Sequence, residues 1–482
     1  MSTPTLNSPL TLPRGGTLAN RIAKSAMSEA LGTMDNRVTP ELVRLYQRWG
    51  AGGAGLLVTG NVMIDRKALG EPGNVVIEDE RDMAQLREWA QAGQAAGAQL
   101  WVQLNHPGRQ CPKGLNRESV SPSAVPFNKA MQPYFDTPRA LTGAEIETLI
   151  ARYARAAAIC REAGFAGVQI HGAHGYLVSQ FLSPKTNQRE DEWGGSAENR
   201  RRFVLRVLAA MRAATAADFP IGIKLNSADF QRGGFSEEES LDVMSALADA
   251  GNDLIELSGG TYEAPARTGV RASTREREAY FLDFADKVRA RLPNTPLMVT
   301  GGFRSAAGMN AALASGTLDL CGVARLLAIE PEAPRRLLAG QNPRETVRPI
   351  KTGIGPGRPH GDHGGHLVHA AIAAHWPRRR AQAARVGAEG LRVQPGRHGQ
   401  GPAGHAPPAR QRRLRRLRRP CNTCTRCCVS PTWTRRGIFT ASCWAWWRCG
   451  ASTTRPAASR WCSWPPRTMW SWPHSAWRRW WS

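Results

Sequence analysis

Three side chains with complementary chemistry lie close together in the segment HGAHGY. His171 and His174 are three positions apart, and Tyr176 follows two positions later. On a turn or short helix, residues with this spacing face the same side. Two imidazole donors directed at one carbonyl oxygen would stabilise negative charge developing on it, and a neighbouring phenol could act as a general acid. The triplet therefore predicts a site that polarises a carbonyl compound and supplies a proton.

Two other interpretations of this triplet stay open. The histidines could bind a metal ion, although neither a nearby carboxylate nor a third histidine completes a ligand set. The three side chains could also form a purely structural hydrogen-bonded cluster. We favour oxyanion donors and an acid, because the metal ligand set is incomplete and two imidazole donors suit a single carbonyl oxygen.

A second group of residues predicts an anion site. Lys224 lies inside an apolar run, where a cation needs a partner because desolvating it alone is costly, and a bound anion would provide one. Gly301, Gly302 and Gly322 follow two further apolar runs, and the N–H groups of glycines can approach a phosphate closely. Arg325 adds a planar set of donors suited to phosphate. Together these residues predict phosphate binding.

Eight short apolar runs must position these residues. They alternate with longer amphipathic runs and are rich in Val, Ile and Leu, which is typical of parallel strands covered on both faces. The candidate strands are residues 21–26, 55–59, 99–104, 167–171, 221–225, 253–257, 297–300 and 319–323. The clearest helices between them are residues 142–163 and 236–251, and the second opens with a capping-box pattern.

Repeated strand–helix units imply an α/β fold with a parallel sheet, and eight units fit a (β/α)₈ TIM barrel. A doubly wound open sheet is the alternative, but no G-x-G-x-x-G motif follows the first strand. In a barrel, catalytic groups lie beyond the carboxyl ends of the strands. The polar residues named above, with His106, all fall at or just beyond these ends, as do two long predicted loops at 105–139 and 181–199.

The residues on this rim resemble the Old Yellow Enzyme family, the NADH:flavin oxidoreductases that act as FMN-dependent ene-reductases. The most specific stretch is residues 171–202, which contains HGAHGYLVSQFLSP and WGGSAENRRR. NRIAKSAMS at 20–28 and QLNHPGRQ at 103–110 add independent support. The resemblance covers about residues 5–345, which include all eight predicted units.

The resemblance implies roles for individual residues. Lys224 would lie at the edge of the flavin ring, where positive charge stabilises the reduced form, and Ser28 near its reactive part. His171 and His174 would hold the electron-withdrawing oxygen of the substrate, and Tyr176 would protonate the carbon alpha to it. The cofactor contacts implied are Ser25, Ala26, Met27, Ser28, Gly60, Gln103, Lys224, Gly302, Ala324 and Arg325.

The implied reaction is the reduction of a carbonyl-activated C=C bond. NADH or NADPH reduces FMN and leaves, a small activated alkene takes its place, and hydride passes from flavin N5 to the beta carbon while Tyr176 supplies the proton. Four residues depart from the family pattern: Ala26 stands where proline is usual, Ser28 where cysteine or threonine is, Lys224 where arginine is, and Ala324 where glycine is. These departures bear on substrate range rather than on reaction class.

The last part of the chain has a different composition. Residues 351–482 hold 24 of the 64 Lys and Arg residues but 2 of the 39 Asp and Glu residues, and 12 of the 16 Trp residues. We therefore predict a barrel domain at residues 1–345 and an irregular, basic tail at 346–482. We interpret the tail as disordered or as an out-of-frame product of GC-rich coding DNA. The alternative is a basic nucleic-acid-binding extension, which we favour less.

The tail also contains Cys421, Cys424 and Cys427, whose spacing resembles part of an iron–sulfur ligand set. A flavin and iron–sulfur enzyme similar to the dienoyl-CoA reductases is therefore an alternative. The opening residues show no export signal, and Cys111, Cys160 and Cys321 are too widely spaced for a disulfide framework. We expect a cytoplasmic enzyme without a membrane partner, and a homo-oligomer is compatible with this expectation.

Overall fold

The computed structural model describes residues 3–264 and 281–344. Eight parallel strands form the centre of this part of the chain. They are β1 (Ile22–Lys24), β2 (Leu56–Met63), β3 (Gln99–Asn105), β4 (Gly167–Gly172), β5 (Ile221–Asn226), β6 (Ile255–Ser258), β7 (Leu297–Thr300) and β8 (Leu320–Val323).

The strands pair in chain order and close into a barrel. β8 returns to β1 with Cys321 opposite Ile22 and Val323 opposite Lys24, and each neighbouring pair is parallel. This closure confirms the predicted (β/α)₈ barrel, and the open doubly wound sheet is wrong.

Helices connect the strands and pack around them. They are α1 (Pro40–Gly50), α2 (Met83–Gln94), α3 (Gly143–Glu162), α4 (Leu177–Leu182), α5 (Ala197–Ala214), α6 (Glu237–Asp249), α7 (Leu282–Arg291), α8 (Ala306–Ala314), α9 (Arg325–Ile329) and α10 (Ala333–Leu338). Both predicted helices are present as α3 and α6. Each begins at a complete capping box, Thr142 with Glu145 and Ser236 with Glu239, which satisfies the first free N–H groups of the helix.

The amino end of the barrel interior is apolar and covered. Leu10–Thr11 and Thr17–Leu18 form an antiparallel pair before β1. The leucines of this pair belong to one buried cluster with Trp101, Met298 and other inward residues of the strands. Because apolar side chains fill the amino end of the interior, the buried polar side chains of the interior lie toward the carboxyl end.

The structure corrects three predicted boundaries. β2 runs on to Met63 with a register shift between Val58 and Asn61, so Gly60 lies in an irregular part of the strand and not beyond it. β6 begins at Ile255, two residues later than predicted. The predicted loop at 181–199 begins inside α4, whose residues are all buried. A short helix that is buried on every side lacks the exposed polar face that marks an amphipathic helix, and the sequence pattern therefore did not reveal it.

The β3–α3 loop, residues 106–142, covers part of the carboxyl rim. Val120–Ser121 and Arg139–Ala140 pair within it, and Phe127, Met131 and Phe135 form a small buried cluster of their own. The loop thus carries its own core over the mouth of the barrel.

The predicted domain boundary at 345 and the tail lie outside the described residues, as do Cys421, Cys424 and Cys427. Within the described residues, none of the helices is long and apolar enough to cross a membrane, and no cluster of His, Cys, Asp and Glu residues could hold a metal ion.

Candidate active site

A buried ion pair lies inside the barrel near the carboxyl ends of β5 and β6. Lys224 and Glu256 are register partners on these strands, and Lys224 Nζ donates to Glu256 Oε1 at 2.9 Å. Both side chains are at most 6% exposed. The sequence predicts that a bound anion balances Lys224. The structure corrects this expectation, because the chain itself supplies the counter-charge.

Glu256 is the centre of a wider hydrogen-bond network. Thr300 Oγ1 donates to Glu256 Oε1 at 2.7 Å, and Gln169 Nε2 donates to Glu256 Oε2 at 2.8 Å. Because Thr300 donates its hydroxyl proton to Glu256, it can only accept from the Ser25 hydroxyl, which lies 2.7 Å from Thr300 Oγ1. Gln103 Nε2 donates to Gln169 Oε1 at 2.8 Å. Five strands are therefore joined by one chain of polar side chains.

This network contains functional candidates that the sequence analysis missed, namely Glu256, Gln169 and Thr300. A usable signal was present, because Gln169 and Glu256 each interrupt an apolar strand at an inward position. A buried polar side chain must find a partner, and the neighbouring strands of a barrel are the first place to look. Three predicted site residues, Ser25, Gln103 and Lys224, belong to the network.

The segment after β1 packs against β2. Ser28 Oγ donates to Asn61 Oδ1 at 2.8 Å, whereas Met27 is buried and Ala26 half-buried. The Gly60 N–H donates to Glu29 Oε1 at 2.8 Å. These residues, predicted separately, are brought together along the same side of the rim.

The predicted phosphate residues lie at the carboxyl ends of β7 and β8, with Gly301 and Gly302 just after β7 and Gly322 inside β8. Gly301 and Gly302 have φ values of 105° and 98°, in the region that favours glycine. A Cβ added to Gly322 would lie 2.0 Å from Thr300 Oγ1 and 2.6 Å from Ser25 Oγ, so only glycine fits there. Ala324 directly precedes α9, and Arg325 begins it. Because β7 and β8 are neighbouring strands, the structure brings the predicted phosphate residues together at one part of the rim.

His171 is buried at the end of β4 and has a defined tautomer. The Ala173 N–H donates to His171 Nδ1 at 3.3 Å, so the proton of the neutral ring lies on Nε2. Burial and the nearby His174 and Lys224 lower the pKa of His171 well below its usual value. His171 is therefore a neutral N–H donor near pH 7.

His174 is held differently from His171. Its backbone has φ 62°, and its N–H donates to Asn226 Oδ1 at 3.1 Å. The ring Nε2 lies 2.6 Å from Ser258 Oγ. Burial, with Lys224 nearby, lowers the pKa of His174 to about 3. The ring centroids of the two histidines are 5.2 Å apart, which places both rings at one site.

Tyr176 completes the predicted triplet. Its ring centroid lies 4.7 Å from that of His171, and its hydroxyl lies 3.0 Å from the Tyr262 hydroxyl. Burial, with Tyr262 and Glu71 nearby, raises the pKa of Tyr176 well above its usual value, so the phenol keeps its proton. The structure thus brings together two neutral imidazoles and one protonated phenol.

Gln180, which the sequence analysis did not single out, fixes the loops that carry this triplet. Its Nε2 donates to the carbonyls of Pro107 and Gly175 at 3.1 and 2.7 Å. Its Oε1 accepts from the Arg109 N–H and the Ser121 hydroxyl, each at 3.1 Å. One buried amide therefore ties the β3–α3 loop to the turn before α4.

Comparison with known proteins places this site in a family. The sequence profile of the NADH:flavin oxidoreductase / NADH oxidase family matches residues 5–343. The NADH-dependent flavin oxidoreductase iliE of Hypocrea jecorina is 36% identical over 355 residues, which cover 68% of this chain and 88% of the relative.

Solved structures show the same similarity. An Old Yellow Enzyme homologue from Zymomonas mobilis aligns with a TM-score of 0.60 and 26% identity over 70% of this chain and 93% of that chain. A variant of morphinone reductase in complex with tetrahydroNAD aligns with a TM-score of 0.60 and 25% identity over 70% and 92%. These findings confirm the predicted oxidoreductase, its flavin cofactor and its nicotinamide reductant. The chain belongs to the NADH:flavin oxidoreductase / NADH oxidase family.

Proposed function

We propose that this enzyme binds FMN at the carboxyl rim of the barrel and reduces carbonyl-activated C=C bonds with NADH or NADPH. The observation that carries this proposal is the neutral His171 N–H donor packed beside the protonated Tyr176 phenol. One group can bind a carbonyl oxygen and the other can protonate a carbon next to it. Hydride transfer to the beta carbon completes such a reduction.

The residues present fit FMN. The loops after β7 and β8 offer glycine backbone and Arg325 for a phosphate, and the interior offers Lys224 for the polar edge of the ring. Asn105 is fully buried, and neither polar atom of its amide has a hydrogen-bond partner in the described structure. It lies two positions after Gln103 in β3 and so faces the same interior. A buried amide without partners is expected to bind a ligand.

Bound FMN supplies the two-electron hydride chemistry that no side chain of this site can supply. The protein residues position the reactants and control the proton. His171 donates from Nε2 to the carbonyl oxygen and stabilises the negative charge that develops there. Tyr176 then donates its proton to the alpha carbon. Because both groups are buried, water competes little for either hydrogen bond.

The nicotinamide is proposed to use the same face as the alkene. This part of the proposal is supported by the similarity to the morphinone reductase variant, whose structure holds tetrahydroNAD. A shared position would require the oxidised nicotinamide to leave before the alkene enters.

The proposal is tested by separating the two half-reactions. We expect purified protein to contain or take up about one FMN per chain, and NADH or NADPH to bleach its flavin absorbance without oxygen. Cyclohexenone should then restore the absorbance and become cyclohexanone. Protein that binds no FMN, or reduced protein that does not react with enones, nitroalkenes or maleimides, would contradict the proposal.

A further inference from the structure

A second tyrosine lies between the buried phenol and the surface. The Tyr262 hydroxyl is 3.0 Å from the Tyr176 hydroxyl, and Tyr262 is 44% exposed whereas Tyr176 is 9% exposed. Among the described residues, Tyr262 is the hydrogen-bond partner of the Tyr176 hydroxyl. The pair therefore connects the interior of the site with solvent.

Tyr262 is held in place by its neighbours in the loop after β6. Thr261 forms an isolated bridge with His174, and its hydroxyl accepts from Gln231 Nε2 at 2.6 Å. On the other side, Arg109 Nη2 donates to Glu263 Oε2 at 2.6 Å, and both side chains are less than 10% exposed. The Tyr262 backbone is thus anchored on both sides.

The other groups around Tyr176 are poorly suited to return a proton to it. His171 packs against its ring at 4.7 Å between centroids and is neutral, because its pKa is far below its usual value. Glu71 and Cys111 interact with Tyr176 through charge, but neither forms a hydrogen bond with it among the described residues. In the part of the chain that the structure describes, Tyr262 is the group with a direct hydrogen bond to Tyr176.

We propose that Tyr262 is a positioning and relay residue that returns a proton from water to Tyr176 after each turnover. This inference rests on the proposed function. The O–H bond of Tyr176 breaks as a C–H bond forms at the alpha carbon of the alkene, which has received hydride from the NAD(P)H-reduced cofactor. The Tyr176 oxygen then takes the proton of the Tyr262 hydroxyl, and Tyr262 takes a proton from water. The cycle consumes one NAD(P)H, one proton and one alkene.

The experiment compares a single turnover with many turnovers in Tyr262→Phe. The first turnover uses the proton that Tyr176 already holds, so its rate in stopped flow should stay within about threefold of wild type. Steady-state kcat should fall about tenfold or more, since proton delivery by a placed side chain commonly contributes about 100-fold or more. The solvent isotope effect on kcat should rise, while FMN reduction by NADH should not change.

Tyr134→Phe is the matched control, because Tyr134 is also an exposed tyrosine on this rim, at 45% exposure. It should leave kcat and the isotope effect unchanged. FMN content and the thermal midpoint of each variant check that folding is intact. Unchanged kcat and isotope effect in Tyr262→Phe, or an equal loss in single turnover, would overturn the relay alone. Wild-type enzyme that binds FMN but reduces no alkene would overturn the proposed function and the relay with it.

Discussion

Lys224 and Glu256 form an ion pair across neighbouring barrel strands, with 2.9 Å between Nζ and Oε1. The carboxylate also accepts from Thr300 and Gln169, so it is held on three sides. A cation at the edge of a flavin favours the reduced form, because that form carries more negative charge. Glu256 therefore offsets part of the effect expected of Lys224.

Replacing Glu256 with glutamine should raise the midpoint potential of the bound flavin. We expect a rise of about 30 mV or more, which for two electrons corresponds to ~1.4 kcal/mol. Lys224→Met, which leaves the carboxylate alone, should shift the potential in the opposite direction and weaken FMN binding. Potentiometric titration of both variants gives the measurement. A potential that is unchanged or lower in Glu256→Gln would show that the carboxylate does not act on the flavin.

Replacing Tyr176 with phenylalanine should affect the two half-reactions differently. The ring and its packing against His171 remain, but the proton donor is lost. We expect reoxidation by cyclohexenone to slow about 100-fold or more, with reduction by NADH close to wild type. Anaerobic stopped flow measures each step. Equal slowing of both steps would instead indicate a structural role for the phenol.

The histidine pair should not titrate in the range that is usual for histidine. Burial keeps the pKa of His171 well below its usual value and lowers that of His174 to about 3. The rate constant for reoxidation by an enone should therefore show no histidine step between about pH 5 and 8. Burial and the nearby Glu29 raise the pKa of Glu71 to about 7. If the rate constant changes with pH near 7, this change should therefore be absent from Glu71→Gln. A step that persists in this variant would show that a histidine becomes charged.

Lys24 should make the stability of the barrel depend on pH. Lys24 ends β1, and its ammonium is fully buried between the strands and α1, where it donates to the Val58 carbonyl at 2.7 Å and lies 4.5 Å from the centre of the Trp49 ring. Burial lowers its pKa from 10.5 to about 8.

Between these two pH values the unfolded chain binds more protons than the folded protein, so the free energy of unfolding should rise with pH. The shift in the pKa of Lys24 can change the free energy of unfolding by at most about 3 kcal/mol over this range. Lys24→Met should remove this pH dependence. The difference in the free energy of unfolding between wild type and the variant, measured by denaturant unfolding, should therefore vary over this pH range. A difference that stays constant with pH would show that the pKa of Lys24 is not lowered in the folded protein.

The sequence predicted the barrel well because its signals are local. Each strand is a short apolar run, and the family motif at residues 171–202 places His171 and Tyr176 on one rim. The partners of these residues were harder to predict. Glu256 pairs with Lys224, and Gln180 joins two loops, through contacts between residues distant in the chain. Predicting such contacts requires the register of the strands, which the sequence pattern does not provide. Sequence alone also did not show that Tyr262, in the loop after β6, reaches Tyr176.

The most direct test of the proposed reaction is the position of deuterium in the product. Cyclohexenone is reduced with unlabelled NADH in heavy water, and the saturated ketone is examined by NMR under conditions that prevent exchange. We expect deuterium at the alpha carbon, from the Tyr176 proton site, and hydrogen at the beta carbon, from hydride. Saturated ketone without deuterium at the alpha carbon, or no saturated ketone from FMN-loaded enzyme, would contradict the proposed reaction.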